Sequence, residues 1–385
     1  MNSARLKAIR QARGLSLEQL SDAMGGLVTK QALSKYERGA SVPTPRVLIA
    51  LARALEVKSV ELAASPAVEV RILAFRKKAA FPKTAQRALE SRVALDLERR
   101  TELQELVGQQ CAGDVPLGAF PVTTMEDVES AAEALRDHWC LGRDALDHMV
   151  DVLEERCFHV IGVEAPEQFD GMSAVAEVEG APVAVAVVAR NGVCRERQRL
   201  SLGHELGHLV LAPQAGVDEE KAAYRFGSAF LAPRETLLRE VGAHRTTLTS
   251  AELFILKRRF GMSFAALVYR LHDLGVLSDR YHQQWWRYIA KMGWKKTEPQ
   301  ETSPEEPSWL LQSTLRAVSE GLVTEEYAER LLGAPLPRAD GPSRRRALAA
   351  MSREQRAAVL ARQAAAAADF YTGEAVDSDD ELVDY

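Results

Sequence analysis

The sequence predicts a multi-domain protein that is mainly α-helical and contains one small β-sheet. Residues 1–66 have the capping residues and the apolar spacing of four or five short helices. From about residue 157 to 188, valine- and alanine-rich runs bounded by glycine are typical of β-strands. Helical periodicity returns from about residue 204 onward. We therefore expect an all-α N-terminal domain, a central α+β domain and a helical C-terminal region.

The N-terminal helices are indicated by their capping residues. Ser3, Ser16 and Thr29 each stand at the N-cap of a helix, where a side-chain oxygen accepts a hydrogen bond from an unpaired backbone N–H. Gly25-Gly26 supplies a turn before the third helix, and Gly39 ends that helix. A helix, a tight turn and a second capped helix form the unit with which helix-turn-helix domains enter the major groove of DNA.

The charge of the chain is unevenly distributed. The net charge is −5, but residues 1–66 hold ten Lys/Arg against five Asp/Glu, so this end is positive and the remainder carries −10. This balance excludes a protein that coats nucleic acid over its whole surface, and it leaves the N-terminal domain as the site of a DNA footprint. No apolar run approaches a membrane span and the first residues do not resemble a signal peptide, so we expect a cytoplasmic protein without a membrane partner.

Changes in composition divide the chain into five regions. Residues 1–66 are the helical DNA-binding domain, and residues 67–124, with a long and heavily charged helical pattern, are predicted to be a helical connector. Residues 125–296 form the central domain. A proline- and glutamate-rich stretch then opens the helical C-terminal region, 297–372. Residues 373–385 form an acidic tail that we predict to be disordered.

The segment His204-Glu205-Leu206-Gly207-His208 carries the chemistry of a metal-dependent hydrolase. Two histidines four residues apart lie on one face of a helix, so both can ligate one metal ion. Glu205 lies beside that ion, where it can take a proton from an activated water molecule and pass it to the leaving amine. Two imidazoles and a carboxylate favour Zn²⁺. The flanking residues are small and apolar, which indicates a buried helix.

A third metal ligand and a surface for the substrate are also needed. The next predicted helix begins at Asp218 and carries Glu219 and Glu220, and helical period alone does not decide which of the two faces the metal. The run Arg197–Leu202 alternates like a strand, and it predicts a sheet edge in front of the metal helix. An extended polypeptide could pair with such an edge.

The central domain resembles the ImmA/IrrE metallopeptidases. The resemblance rests on His204–His208, on Glu220-x-x-Ala223-x-x-Phe226 and on Phe230-Leu231-Ala232-Pro233, and it extends over about residues 125–295. It implies a zincin-like fold, assigns the third zinc ligand to Glu220, and implies a protein substrate, often a transcriptional repressor. Tyr224 stands where the family usually has Asn or Asp, and Gly227 stands where it has Ala.

The N-terminal domain resembles the Xre/Cro/phage-repressor helix-turn-helix family over about residues 4–57, most distinctly from Val28 to Gly39. The resemblance implies binding to double-stranded DNA. Leu33 and Tyr36 are expected to hold the recognition helix to the core. Because such a unit reads a short half-site, we expect a homodimer. The predicted DNA-contacting residues are Thr29, Lys30, Gln31, Ser34 and Lys35.

Two later segments have alternative interpretations. The helical stretch 252–275, with a turn at Gly261, resembles a second helix-turn-helix, but we favour a role in packing the central domain. Aromatic residues between Tyr281 and Trp294 alternate with Lys and Arg. They could stack on single-stranded nucleic acid, and we favour instead an aromatic edge of the core.

The function expected from these features is a DNA-binding regulatory zinc endopeptidase that cleaves a transcriptional repressor or a similar regulatory protein. One alternative is a transcriptional regulator whose metal domain senses or binds an effector without turnover. Another is an antitoxin or phage-defence regulator that acts by binding a partner. The presence of Glu205 favours the peptidase, because a purely structural metal site has no use for that carboxylate.

Overall fold

The computed structural model describes residues 1–66, 68–77, 81–109 and 115–337, together with positions 352 and 357. The acidic tail 373–385 and most of the predicted region 297–372 beyond residue 337 lie outside the described residues. The helices are α1 (Ser3–Ala12), α2 (Leu17–Ala23), α3 (Lys30–Glu37), α4 (Pro45–Ala54), α5 (Lys83–Leu106), α6 (Met125–His138), α7 (Met149–Glu154), α8 (Arg195–Val210), α9 (Glu219–Leu231), α10 (Arg234–Val241), α11 (Ser250–Phe260), α12 (Phe264–Asp273), α13 (Asp279–Lys291), α14 (Trp309–Glu320) and α15 (Glu325–Leu332). The strands are β1 (Glu69–Lys77), β2 (Phe120–Val122), β3 (Phe158–Val163), β4 (Phe169–Val178), β5 (Ala181–Arg190) and β6 (Leu211–Pro213). The predicted fold class, mainly α with a small sheet, is confirmed.

The N-terminal domain folds as its capping residues predict. The Ser16 hydroxyl accepts from the backbone N–H of Gln19, and the Thr29 hydroxyl accepts from that of Ala32, so both side chains cap the helices expected of them. The first helix differs, because Asn2 and not Ser3 caps α1. The core of this domain contains the buried side chains of Leu6, Ile9, Leu20, Leu33, Leu51, Leu55 and Leu62.

The central sheet has the strand order β1-β4-β5-β3. The pairs β1–β4 and β4–β5 are antiparallel, and β3 runs parallel to β5. Successive side chains of β4 and β5 point to opposite faces, and both faces are covered. Val175, Val185 and Val187 belong to the large core that includes α8 and α9, while Ala174 and Ala186 belong to a second core with α5.

The prediction of a wholly helical connector is wrong for its first part. Residues Glu69–Lys77 form β1, which joins the central sheet, and only α5 is a long helix in this region. A register shift between Ile72 and Ala74 explains the error. The apolar residues that face α5 are therefore Val70, Ile72 and Phe75, and this spacing does not keep the strict period of two that identifies a strand.

The predicted strand-like run Arg197–Leu202 is also wrong, because these residues lie within α8. The alternation in the sequence arose from polar residues that are in fact buried. Gln198 exchanges hydrogen bonds with the backbone of Glu305, and Arg199 donates to the carbonyl of Leu146 at 2.7 Å. Such distant partners cannot be identified from local sequence. The sheet edge nearest to the metal helix is formed by β1 instead.

The described chain separates into two compact units. The first contains residues 1–98 and 111–307, and the second contains 99–110 and the residues from 308 onward. In the second unit, Leu103 and Val107 at the end of α5 pack with Ala317 and Leu331 of α14 and α15. The domain boundaries proposed from composition remain predictions.

Helices α11 to α13 complete the core of the first unit. Leu253 and Phe260 of α11 and Phe264 and Leu271 of α12 are fully buried or nearly so, which agrees with a packing role for residues 252–275. On α13, Trp285 and Ile289 are buried, whereas Tyr288 is 42% exposed. The aromatic cluster is thus an edge of the core with a partly exposed rim. None of the described helices has both the length and the apolar content of a membrane span.

Candidate metal centre

The two histidines are held by α8, a helix buried on most of its surface. His204 and Glu205 are 1% and 2% exposed, and Leu202, Leu206, Leu209 and Val210 anchor the helix in the core. Helix α9 begins opposite, with Asp218 as its cap: the Asp218 carboxylate accepts from the backbone N–H of Lys221. The first turn of α9 carries Glu219 and Glu220.

Three glycines allow α8 and α9 to approach closely. A Cβ atom added to Gly227 would lie 2.8 Å from the backbone carbon of Gly203 and 2.8 Å from the backbone nitrogen of His204. A Cβ on Gly207 would lie 3.0 Å from the Cα of Ala223. A side chain at Gly227 would therefore force the two helices to shift, and one at Gly207 would press on the backbone of α9. The close crossing brings the start of α9 against the histidine face of α8.

The structure brings His204, His208 and Glu220 together. Oε2 of Glu220 lies 3.3 Å from Nε2 of His204, and Oε1 lies 3.4 Å from Nε2 of His208. One possible ligand atom from each of the three residues lies within 4.8 Å of the others, and the described part of the chain contains no other such group of His, Cys, Asp or Glu. Glu219, the alternative left open by helical period, is not a member of the group.

The donor set fits a metal ion. Nε2 of His208 is buried and makes no hydrogen bond within the described residues. Buried polar atoms normally have a partner, and a bound cation would supply one here. Burial, and after it the nearby charges of Arg76 and His208, together lower the pKa of His204 to about 2. Burial, followed by the charge of Arg76, also lowers the pKa of His208, against the opposing effect of Glu220. Both imidazoles are therefore held neutral, which is the metal-binding form.

Arg76 of β1 is a site residue that the sequence analysis missed. Its guanidinium forms an ion pair with Glu205, lies 3.8 Å from Oε2 of Glu220, and lies 2.6 Å from Nδ1 of His204. The side chain of Arg76 is 18% exposed and that of Glu205 is 2% exposed. A strand pattern in residues 69–77, which the register shift in β1 obscures, would have placed Arg76 on a strand but not beside His204.

Tyr224 is a second neighbour of the site. Its ring stacks on the imidazole of His204, with ring centroids 3.9 Å apart and planes 12° from parallel. Tyr224 lies one turn after Glu220 on α9 and is 50% exposed. Tyr224 stands where the ImmA/IrrE resemblance leads one to expect Asn or Asp. This position is therefore in direct contact with the candidate ligand His204.

The predicted DNA-contacting residues lie along α3. Thr29, Lys30, Gln31 and Lys35 are exposed, and Ser34 is half-buried. The Thr29 hydroxyl is engaged in capping α3, and Lys30 forms an exposed ion pair with Glu18 at 3.3 Å. The predicted core contacts agree with the structure, since Leu33 is fully buried and Tyr36 packs against the same core.

Comparison with known families identifies two domains. A helix-turn-helix family model matches residues 6–62, and a model of the IrrE N-terminal-like domain matches residues 188–272. No curated protein and no solved structure matches the chain significantly. The second match contains α8 and α9 with all members of the histidine–glutamate group. The chain therefore joins a helix-turn-helix domain to a region that matches the IrrE N-terminal-like domain, which agrees with the two resemblances in its sequence.

Proposed function

We propose that this protein is a DNA-binding regulatory zinc endopeptidase that cleaves a transcriptional repressor or a similar regulatory protein. The observation that supports this best is the grouping of His204, His208 and Glu220 around one point, with Glu205 on the same buried helix. Two imidazoles and one carboxylate, with a fourth position left for water or substrate, is the donor set of hydrolytic zinc sites.

In this proposal the protein side chains have distinct tasks. His204, His208 and Glu220 hold the ion, which when bound supplies a Lewis acid that activates water and polarises the scissile carbonyl. Glu205 accepts a proton from the attacking water and returns it to the leaving amine. Its burial in the core excludes bulk water from the carboxylate and fixes its position relative to the ligands.

The DNA-binding domain would bring the peptidase to its target. Gln31 can form two hydrogen bonds with adenine, Lys30 and Lys35 can reach guanine or phosphate, and the N-terminus of α3 at Thr29 can meet a phosphate. Ser34 lies on the same helix one turn further on. A repressor bound at or near the same operator would then be the protein substrate, and a homodimer would read two half-sites.

The decisive variant is Glu205→Gln, which removes the proton acceptor and leaves the proposed ligands in place. Purified Zn²⁺-loaded protein is incubated with candidate repressors, and fragments are identified by mass spectrometry. We expect the cleavage rate to fall by roughly 10²–10⁴-fold or more, with Zn²⁺ content and DNA affinity unchanged. Undiminished cleavage by the Glu205→Gln protein would rule out the proton-transfer role.

A second function is favoured by the ion pair between Arg76 and Glu205. A carboxylate held by a guanidinium is a poor proton acceptor, as expected for a regulator whose metal domain senses or binds an effector without turnover. In that case Zn²⁺ would change the affinity for DNA while no variant cleaved any protein. No structural feature favours an antitoxin or phage-defence role over these two.

A further inference from the structure

Strand β4 passes directly over the catalytic carboxylate. A Cβ atom added to Gly171 of β4 would lie only 2.2 Å from Oε1 of Glu205. Strand β4 pairs with β5 on one side, so its other side would be a sheet edge next to Glu205 if β1 were absent. An extended polypeptide that paired with this edge would lie beside the proton acceptor, which is the position that a peptidase substrate requires.

In this structure the same edge is covered by β1. The pairing is antiparallel and continues from Glu69 opposite Glu177 to Arg76 opposite Gly171 and beyond. Strand β1 belongs to the segment between the helix-turn-helix domain and α5, so the occupant of the edge is part of the chain itself. An antiparallel strand on this edge has the main-chain geometry of an added peptide.

The side chains of β1 fix it on both faces of the sheet. Val70, Ile72 and Phe75 pack into the core shared with α5, while Leu73 packs against the core that contains α8. Arg76 also points to the α8 side, where its guanidinium contacts Glu205, His204 and Glu220. One strand thus covers this side of β4 and also places a guanidinium against Glu205 and the candidate ligands.

We propose that β1 occupies the position of the substrate and holds the peptidase closed, and that a substrate is an extended polypeptide segment that displaces β1 from β4. This inference rests on the proposed peptidase function. Arg76 is the contact that links closure to the metal centre, because its guanidinium lies against Glu205, His204 and Glu220 for as long as β1 is paired with β4.

The test compares Arg76→Ala with Arg71→Ala in otherwise unchanged, Zn²⁺-loaded protein. Arg71 lies on the same strand, but its side chain is 56% exposed and pairs with Glu177, far along the strand from the metal centre. The probe is fluorescein-labelled casein, and Glu205→Gln is combined with each variant as a blank. Removing a charge-assisted hydrogen bond to a buried carboxylate should raise the cleavage rate at least about tenfold in Arg76→Ala, with no change in Arg71→Ala.

A synthetic peptide of residues 69–77 provides a second arm. It should inhibit the Arg76→Ala protein, and the same peptide with alanine in place of Arg76 should inhibit less. A rate that falls or stays constant in Arg76→Ala overturns the proposal. In particular, a complete loss of cleavage would mean that Arg76 assists the reaction.

Amide hydrogen exchange separates failure of the strand proposal from failure of the peptidase proposal. In the Glu205-intact proteins, the amides of residues 69–77 should exchange at least about tenfold faster in Arg76→Ala than in Arg71→Ala, because the strand opens more often. If no variant cleaves casein or a candidate repressor, the peptidase function is rejected, and the exchange rates alone decide the strand. Equal exchange in the two variants then rejects the proposed displacement as well.

Discussion

At the metal centre, neighbouring carboxylates have different surroundings. Glu205 is buried and paired with Arg76, whereas the side chain of Glu220 is 58% exposed and lies against both histidines. Burial holds the Glu205 carboxylate at one place beside the candidate ligands, and an exposed carboxylate at a helix start can turn toward a cation. Local environment therefore separates the proposed acid–base residue from the proposed ligand.

The third ligand is tested by a pair of adjacent substitutions. Glu220→Ala should weaken Zn²⁺ binding by more than about 100-fold, beyond the 10- to 100-fold typical of losing only an outer partner of a ligand. Glu219→Ala also removes one negative charge, at the neighbouring position, and should leave Zn²⁺ affinity unchanged. Competition with a chromogenic chelator measures both. Equal losses in the two variants would mean that charge alone, and not ligation, is responsible.

Tyr224 is expected to orient His204 through ring stacking. Tyr224→Ala should lower Zn²⁺ affinity roughly tenfold, the effect of losing a group that positions a ligand. Tyr224→Phe keeps the ring and should retain the affinity of the original protein. If Tyr224→Phe is as weak as Tyr224→Ala, then the hydroxyl is the important group and the stacking interpretation is wrong.

The candidate site could be predicted in part at this scale. The spacing of His204 and His208 follows from helical geometry, and the proposed role of Glu205 follows from its place between them. Helical period could not choose between Glu219 and Glu220, since their orientation depends on how closely α9 approaches α8. Arg76 could not be found at all, because it comes from a strand 128 residues away from His204 in sequence.

At the scale of elements, the crossing of α8 and α9 determines the geometry of the metal centre. Gly203 and Gly227 face each other across this crossing, with no space for a side chain. The resemblance to ImmA/IrrE peptidases leads one to expect Ala at position 227. Glycine at both positions lets the two backbones approach, and this approach places Glu220 within 3.4 Å of His208.

Gly227→Ala should therefore separate the two helices. The added methyl group would cost about 1–3 kcal/mol of unfolding free energy through overpacking, and it should also weaken Zn²⁺ binding because Glu220 moves away from the histidines. Urea unfolding and chelator competition measure the two effects. Lys221→Ala, at an exposed position of the same helix, is the control and should change neither quantity. An unchanged stability in Gly227→Ala would show that the helices can separate without cost.

Elements with local signals were predictable, and elements defined by distant contacts were not. The capping residues Ser16 and Thr29 predicted their helices because capping is a local hydrogen bond. The sequence pattern predicts a helix for β1 because the register shift breaks the alternation of a strand. It predicts a strand for Arg197–Leu202 because the buried polar residues there find partners far along the chain. In each case tertiary contacts outweighed local pattern.

At the scale of the whole molecule, α5 joins the helix-turn-helix domain to the central sheet. Leu95 packs into the helix-turn-helix core, whereas Val93 and Leu97 pack into the core beneath the sheet. Arg5 of α1 also forms an ion pair with Glu98 of α5. The first unit therefore contains both domains, with a shared helix in place of a flexible tether.

DNA binding is expected to depend on the exposed face of α3. Lys35→Ala should weaken binding to double-stranded DNA and reduce the slope of log affinity against log salt by about one, the value for one lost phosphate contact. Lys221→Ala, which removes one exposed lysine from α9, should leave the slope unchanged. Fluorescence anisotropy at several salt concentrations measures both variants. A slope that stays constant in Lys35→Ala would exclude a phosphate contact by this residue.

Because β1 and β4 belong to the same chain, the pairing between them does not weaken when the protein is diluted. A short tether keeps an internal ligand at an effective concentration of order mM. A free substrate present at micromolar concentration would have to bind this edge about a thousandfold more tightly than β1 does, or be brought to the enzyme by a common partner, to compete equally. A stretch of DNA that binds both the enzyme and its substrate would be such a common partner. If β1 closes the site as proposed, colocalisation of enzyme and substrate, and not the abundance of the substrate, is the condition for cleavage.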